Sequence, residues 1–265
     1  MDSAPTIAIT VIPADDDALA SRARALAAKL ALPLIDDPAT AADAELRLLV
    51  TPAGLALEAT RGDLAAGRPM RIDLTRLDTS TGHGRSLRQP LLRAVGLRKG
   101  QAHRPHVVDA TAGLGEDAWL LAAAGCRVDA VERHGVVAAL LRDAVARAAS
   151  SQPEAAARVA VTHADGQAHL RALADASPAL RPEVVYLDPM FPAARRARER
   201  KPLRMLRRLV GDDADAGELL DAALAVATRR VVVKRPGKAP PLTDRAPDAT
   251  HRGRAVRYDV YSTAR

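Results

Sequence analysis

The sequence predicts an α/β protein: a doubly wound, mostly parallel sheet over residues 105–265, preceded by a small α/β unit over residues 1–80. Three observations carry this. From His106 onward short β-branched apolar runs alternate with helix-like segments. A glycine-rich turn, ATAGLGEDA, closes the first of those runs and opens a helix. Acids recur where the runs end, at Asp109, Glu132, Asp165 and Asp188. At roughly 150 residues per domain, 265 residues allow one large domain with a smaller companion.

In chain order, PTIAITVI reads as a strand, and Asp15 to Asp17 supply a cap and dipole-favoured acids for a helix through ALASRARALAAKLAL. LRLLVTPAGLALEAT reads as a hairpin about a Pro-Ala-Gly turn, with RPMRIDL as a third strand. Residues 81–104 are expected to be a linker and lead-in helix, the mixed stretch DTSTGHGRSLR running into SLRQPLLRAVGL. The alternation then runs HVVDAT, GEDAWLLAAAG, CRVDAVE, GVVAALLRDAVARAA, RVAVTHAD, GQAHLRALA, EVVYLDP, a basic helical region and RRVVVKRP. RAVRYDVYST alternates apolar with polar and suits an antiparallel strand, at the edge or inserted.

A hydrophobic content of 48% with 27% charged residues fits a folded soluble protein. The single cysteine, Cys126, excludes an intramolecular disulfide and a multi-cysteine zinc site, and suits a reducing cytoplasm. The N-terminus lacks the basic region and long apolar stretch of a secretory signal, and no run reaches about 18 apolar residues, so a cytoplasmic protein without a membrane span is expected.

Gly113, Gly115 and Ala118 satisfy G-x-G-x-x-[G/A], and Glu132 ends the second strand, where an acid can accept from ribose hydroxyls. By itself this admits NAD, FAD or S-adenosylmethionine. Glu116 and Asp117 in the first helical turn, with Asp109 just before the loop, oppose a pyrophosphate but suit a sulfonium and an ammonium group. The plainer alternative is that both acids only serve the helix dipole. Asp165 and Gly166 end the third strand, Asp188 the fourth, and ligands of such sheets bind beyond these strand ends.

The stretch YLDPMFP holds the chain's only phenylalanine. An exocyclic amine on a nucleobase is a poor nucleophile, because its lone pair is delocalised into the ring. A carboxylate followed by proline can hold both amine hydrogens: Asp188 accepts one and the carbonyl of Pro189 or its neighbour the other. Phe191 can then stack on the base. No metal is needed. The alternative is a strand-closing Asp-Pro with Phe191 in the core.

VVDATAGLGEDAWLLAAAGCRVDAVERHGVVAALL, VVYLDPMFP and RRVVVKRPGKAPPL resemble the small-subunit ribosomal RNA methyltransferase J family over about residues 105 to 262. The resemblance implies a Rossmann-like class I methyltransferase fold, S-adenosylmethionine as cofactor, and methylation of N2 of a guanine near the 3′ end of 16S rRNA, guanine 1516 in conventional numbering. By position, the family's cofactor contacts fall on Glu116, Asp117, Glu132, Arg133, Asp165, Gly166 and Asp188. In the N-terminal third only Ala94-Val95-Gly96 matches, and His83, Arg85 and Arg88 stand where the family has a basic stretch.

The expected partner is 16S rRNA or the small ribosomal subunit, with neither membrane nor metal involved. Lys plus Arg number 39 against 32 Asp plus Glu, a formal charge of +7. Arg195, Arg196, Arg198, Arg200 and Lys201 follow Phe191, and Lys234, Arg235 and Lys238 follow the fifth strand; these are the candidate phosphate contacts. A solvated helix face is the alternative for such a run. The small N-terminal unit is expected to form the other wall of the RNA cleft.

Overall fold

The structure, a computed structural model, describes residues 5–35, 44–77, 79, 89–190, 201–211 and 215–263. Two sheets organise it. The first orders β1 (Ile7–Val11), β2 (Leu46–Thr51) and β3 (Gly54–Ala59), with β1 parallel and β3 antiparallel to β2. Helix α1 (Asp17–Leu30) starts where the Asp16 carboxylate accepts the Leu19 amide, 3.0 Å away. The expected third strand at RPMRIDL shrinks to one bridge, Leu57 with Met70. Pro69 has no N–H to extend the ladder, and the Asp73 side chain captures the Thr75 amide to start a 3-10 turn instead.

The lead-in helix is also shorter than expected: α2 covers Pro90–Ala94, with proline in its first turn and Gly96 beyond its end at φ +94°. The second sheet contains β4 (His106–Asp109), β5 (Arg127–Glu132), β6 (Val159–His163), β7 (Val184–Leu187), β8 (Arg230–Pro236), β9 (Ala249–Arg252) and β10 (Val256–Ser262). Their order is β6-β5-β4-β7-β8-β10-β9. The first five named are mutually parallel, and β10 is antiparallel to both neighbours, inserted between β8 and the edge strand β9. No sequence signal had marked β9; ATHR is largely exposed and polar, as an edge strand tolerates.

Helices cover both faces. On one side lie α3 (Glu116–Ala123), α4 (Gly135–Ala148), α5 (Pro153–Ala156) and α7 (Lys201–Val210), sharing a core with the small sheet through Trp119, Leu121, Leu140 and Leu206. On the other, α6 (Gly166–Asp175) and α8 (Ala216–Val226) bury Leu170, Leu220 and Ala223 against Val108, Val185 and Val231. Strands covered on both faces explain the unbroken runs HVV, VVYL and VVV.

A buried carboxylate fastens the small sheet to the large one. Asp143 on α4 accepts from Arg22 of α1 at 2.7 Å and from Arg147 at 2.8 Å, while Arg147 also donates to the Ile72 carbonyl. The β2–β3 turn lies directly on this cluster, where a Cβ at Gly54 would sit 2.6 Å from Asp143 Oδ2. No helix among the described residues is long and apolar enough to cross a membrane.

Candidate active site

The strand order reverses between β4 and β7: the chain moves outward to β5 and β6 on one side, then to β8 on the other. At such a point the loops beyond the strand ends diverge and leave a crevice. A cavity of about 760 Å³ opens there. Its walls include Asp109, the loop from Ala110 to Asp117, Glu132, Arg133, Asp165, Gly166, Tyr186, Asp188, Pro189 and Lys234, with Leu203 and Leu206 of α7 on one side.

The loop from β4 to α3 is held by backbone amides donating to side chains. Asp109 is 1% exposed and accepts the Thr111 amide at 3.1 Å. Burial raises its pKa well above the usual carboxylate value, the Thr111 amide opposes the rise, and neighbouring Asp117 and Asp188 add to it. Asp109, expected on the cofactor side, lines the cavity and also anchors the loop through the Thr111 amide. The Thr111 hydroxyl oxygen in turn accepts the Asp188 amide at 2.6 Å, joining the ends of β4 and β7.

Glu132 closes the other side. One carboxylate oxygen accepts the Gly113 amide at 2.9 Å and the other the His134 amide at 2.7 Å, so the end of β5 clasps the glycine loop. Gly113 and Gly115 stand at φ +52° and +76°, and a Cβ on Gly115 would lie 2.3 Å from Leu141 Cδ1. Gly166 opens α6 against β4, where a Cβ would lie 2.4 Å from the Ala110 carbonyl oxygen. Asp165 caps that helix, accepting the Ala168 amide at 2.8 Å. Arg133 donates to the Val210 carbonyl at 2.9 Å and so holds the C-terminal end of α7 beside the cavity.

Asp117, Tyr186, Asp188 and Lys234 of the cavity wall form one charged cluster. Lys234 Nζ donates to Asp117 Oδ2 at 2.7 Å and to Asp188 Oδ2 at 2.9 Å, and the Tyr186 hydroxyl donates to Asp117 Oδ2 at 2.6 Å. Burial works against the Lys234 charge, but Asp188 and Asp117 outweigh it and raise its pKa. The Tyr186 phenol is pushed up by burial and by the same two carboxylates, so it stays a donor.

Three of the expected RNA contacts have other partners in the structure. Lys234 is enclosed between carboxylates, and Arg235 is 4% exposed with its guanidinium donating to the Pro240 carbonyl at 2.6 Å; neither presents its charge to a phosphate. Lys201 donates to the Ala66 and Arg68 carbonyls of the small unit, at 2.8 and 3.1 Å, and so docks α7 instead. Arg208 and Arg204 continue that seam to Glu45 and Asp63. Phe191, Arg195, Arg196, Arg198 and Arg200 lie outside the described residues.

Sequence reading overlooked Lys234 as a member of the cofactor-side cluster, and with it Thr111 and Tyr186. Strand alternation carried one usable signal: Tyr186 and Asp188 are two residues apart at the end of β7, so they share a face.

The donor set fits S-adenosylmethionine. Positive-φ glycines let backbone approach a ligand closely, the acids of the wall suit a sulfonium and an ammonium group, and Glu116 and Asp117 occupy the helix start where a pyrophosphate would need bare amides. The family model SAM_MT, "Putative SAM-dependent methyltransferase", matches residues 26–263. The ribosomal RNA small subunit methyltransferase J of Thioalkalivibrio sulfidiphilus is 45% identical over 250 residues, 92% of this chain and 94% of that protein. The chain belongs to the ribosomal RNA small subunit methyltransferase J family.

The J-type methyltransferase of Alkalilimnicola ehrlichii is 47% identical over 246 residues, 90% of each chain. A crystal structure of a SAM-dependent methyltransferase from Neisseria gonorrhoeae superposes with a TM-score of 0.69 at 28% identity, covering 96% of this chain and 95% of that one. The likeness to the J family thus reaches well into the N-terminal third, beyond the span from 105 to 262 that the motifs alone delimit. The fold is the Rossmann-like methyltransferase fold and the cofactor is S-adenosylmethionine.

Proposed function

We propose that this J-family chain methylates the exocyclic N2 amine of a guanine near the 3′ end of 16S rRNA, the guanine numbered 1516 in conventional numbering. The observation that carries the reading is the placement of Asp188. It stands at the reversal point of the sheet, in the wall of the glycine-lined acidic cavity, with its amide on Thr111 and its carboxylate on Lys234. The names of the relatives support the RNA class.

When bound, S-adenosylmethionine supplies a methyl group already activated on a sulfonium. Gly113, Gly115, Glu116, Asp165 and Gly166 would form its bed, and Glu132, whose oxygens can each accept more than one hydrogen bond, would take ribose hydroxyls. The residues that act on the base then have positioning and proton work to do. Asp188 accepts one amine hydrogen, the Pro189 carbonyl the other, and the carboxylate receives the proton that the amine sheds. Lys234 fixes the direction in which the Asp188 carboxylate points. Phe191 is the stacking platform, and Arg195, Arg196, Arg198 and Arg200, beside it in sequence, grip the RNA backbone. The small N-terminal unit, tied to α7 by Lys201 and Arg208, forms the other wall of the cleft. The guanine must leave any stack to reach the cavity mouth, which favours an unpaired or looped target.

Mass spectrometry of 16S rRNA from cells with and without the gene tests the reading. One N2-methylguanine should vanish with the gene and return with the wild-type chain, but not with Asp188→Asn. Loss of a different modification, or of none, would sink it. Phe191→Ala should weaken RNA turnover more than cofactor binding.

A further inference from the structure

Arg235 and Arg257 are both buried, at 4% and 8% exposure, and face each other as register partners on β8 and β10. Arg257 Nε donates to both oxygens of Asp259 at 3.0 Å. Its Nη1 donates to the carbonyls of Pro236, Gly237 and Ala239 at 3.3, 3.2 and 2.7 Å, and Arg235 Nη2 to that of Pro240 at 2.6 Å. Two guanidiniums thus hold the carbonyls of the turn after β8 on the protein side. This is a costly burial of charge for a surface turn, and it fixes the turn's outer face.

That outer face is cationic. Lys238 sits on it, exposed. The Gly237 amide donates to the Ala255 carbonyl at 3.0 Å, joining the turn to the tip of the β9–β10 hairpin, which the Gly253 amide closes on Val256 at 2.8 Å. The tip carries Arg252, partner of Arg257 in the register, and Arg254, both exposed. The side chains of Lys238, Arg252 and Arg254 have no hydrogen-bond or ion-pair partner among the described residues. Pro236 and Val256, at the base of the same turn and tip, line the cavity that holds Asp188, so Lys238 and Arg254 stand two residues from its wall and Arg252 pairs with Arg257 beside it.

We infer that this rim, with Lys238, Arg252 and Arg254 as its contacts, docks the phosphate backbone of the RNA strand whose base enters the cavity. The inference rests on the RNA reading above and adds Arg252 and Arg254 to the expected phosphate contacts. Unpaired cations on a braced turn beside a base pocket bind backbone charge, and the counterions they release make the binding salt-dependent. Arg235 acts indirectly here, as part of the brace beneath the turn.

The test is a triple variant, Lys238→Glu with Arg252→Glu and Arg254→Glu, in the full chain, assayed on small subunits across a salt series. S-adenosylhomocysteine calorimetry serves as the readout of an intact cofactor site. KM for the subunit should rise by about tenfold or more, and log KM should depend less steeply on log salt, by about 0.7 to 0.9 for each phosphate no longer neutralised. S-adenosylhomocysteine affinity should match wild type. Arg127→Glu, exposed at the amino end of β5 on the opposite edge of the sheet, is the charge control and should leave KM near wild type. An unchanged KM in the triple variant, or an equal rise in Arg127→Glu, overturns the rim while leaving the RNA reading standing. Failure of the wild-type chain to methylate any RNA sinks that reading, and the rim with it.

Discussion

Lys234 and Asp188 meet across β7 and β8, Nζ to Oδ2 at 2.9 Å, and the same ammonium reaches Asp117 at the start of α3. One cation therefore couples the helix that begins at the glycine loop to the acid assigned to the amine. Two carboxylates this close would repel each other without it, and in a partly buried site water screens that repulsion poorly.

Replacing Lys234 by Met should separate these functions. The two carboxylates lose their shared cation, and Asp188 loses its fixed direction. Because Lys234 is 24% and Asp188 39% exposed, the stability loss should be modest, about 1 to 3 kcal/mol, well short of a fully buried pair. The methylation rate should fall by about a hundredfold or more, as for other misplaced catalytic groups. Urea unfolding together with single-turnover assays checks both, and a variant with full activity would remove Lys234 from the site.

Stability against pH gives a second view of the same lysine. Its folded pKa is raised above the ordinary 10.5, so the stabilisation is complete below that value and is lost as pH rises through the folded one. The stability difference between wild type and Lys234→Met should therefore stay constant from about pH 7 to the ordinary value, then shrink at higher pH. Chemical denaturation at a series of pH values measures it. A difference that already shrinks near neutrality would contradict the ion-pair account.

Thr111→Val keeps the shape of the side chain but removes the oxygen that accepts the Asp188 amide. An unsatisfied amide costs about 1 to 3 kcal/mol. Since that amide belongs to Asp188 itself, turnover should fall while S-adenosylhomocysteine affinity changes by only a few-fold. Thr111→Ser, which retains the oxygen, should recover most of the loss.

Gly166→Ala places a methyl group 2.4 Å from the Ala110 carbonyl oxygen, a clash that only backbone movement relieves. Strain of this kind costs about 1 to 3 kcal/mol. S-adenosylhomocysteine binding should weaken by about tenfold or more, because the displaced segment is cavity wall. Calorimetry decides; wild-type affinity would show that α6 can shift without disturbing the bed.

Much of this was legible along the chain. Alternating strands and helices gave the doubly wound sheet, because strands buried on both faces need apolar runs that a single sequence displays. The glycine loop and the acids at strand ends located the cavity edge, because backbone turns and parallel strand ends follow from local pattern. The shortened α2, the single bridge at Met70 and the edge strand β9 were less visible, since the bounds of such short elements depend on single residues, as at Gly96, Pro69 and Asp73.

By itself, then, the sequence determined the class of fold, the glycine-lined edge and the acid Asp188 upon it, all consequences of residue types at short spacing. Only tertiary structure decided which charges are available. Lys234, 117 residues from Asp117 and 46 from Asp188, became an internal counter-ion, and Arg235 became a brace beneath a turn. Charge along a chain is a count of ionisable groups. Whether each group faces solvent, a carboxylate or a row of carbonyls depends on which strands become neighbours, and desolvation makes pairing obligatory for those enclosed.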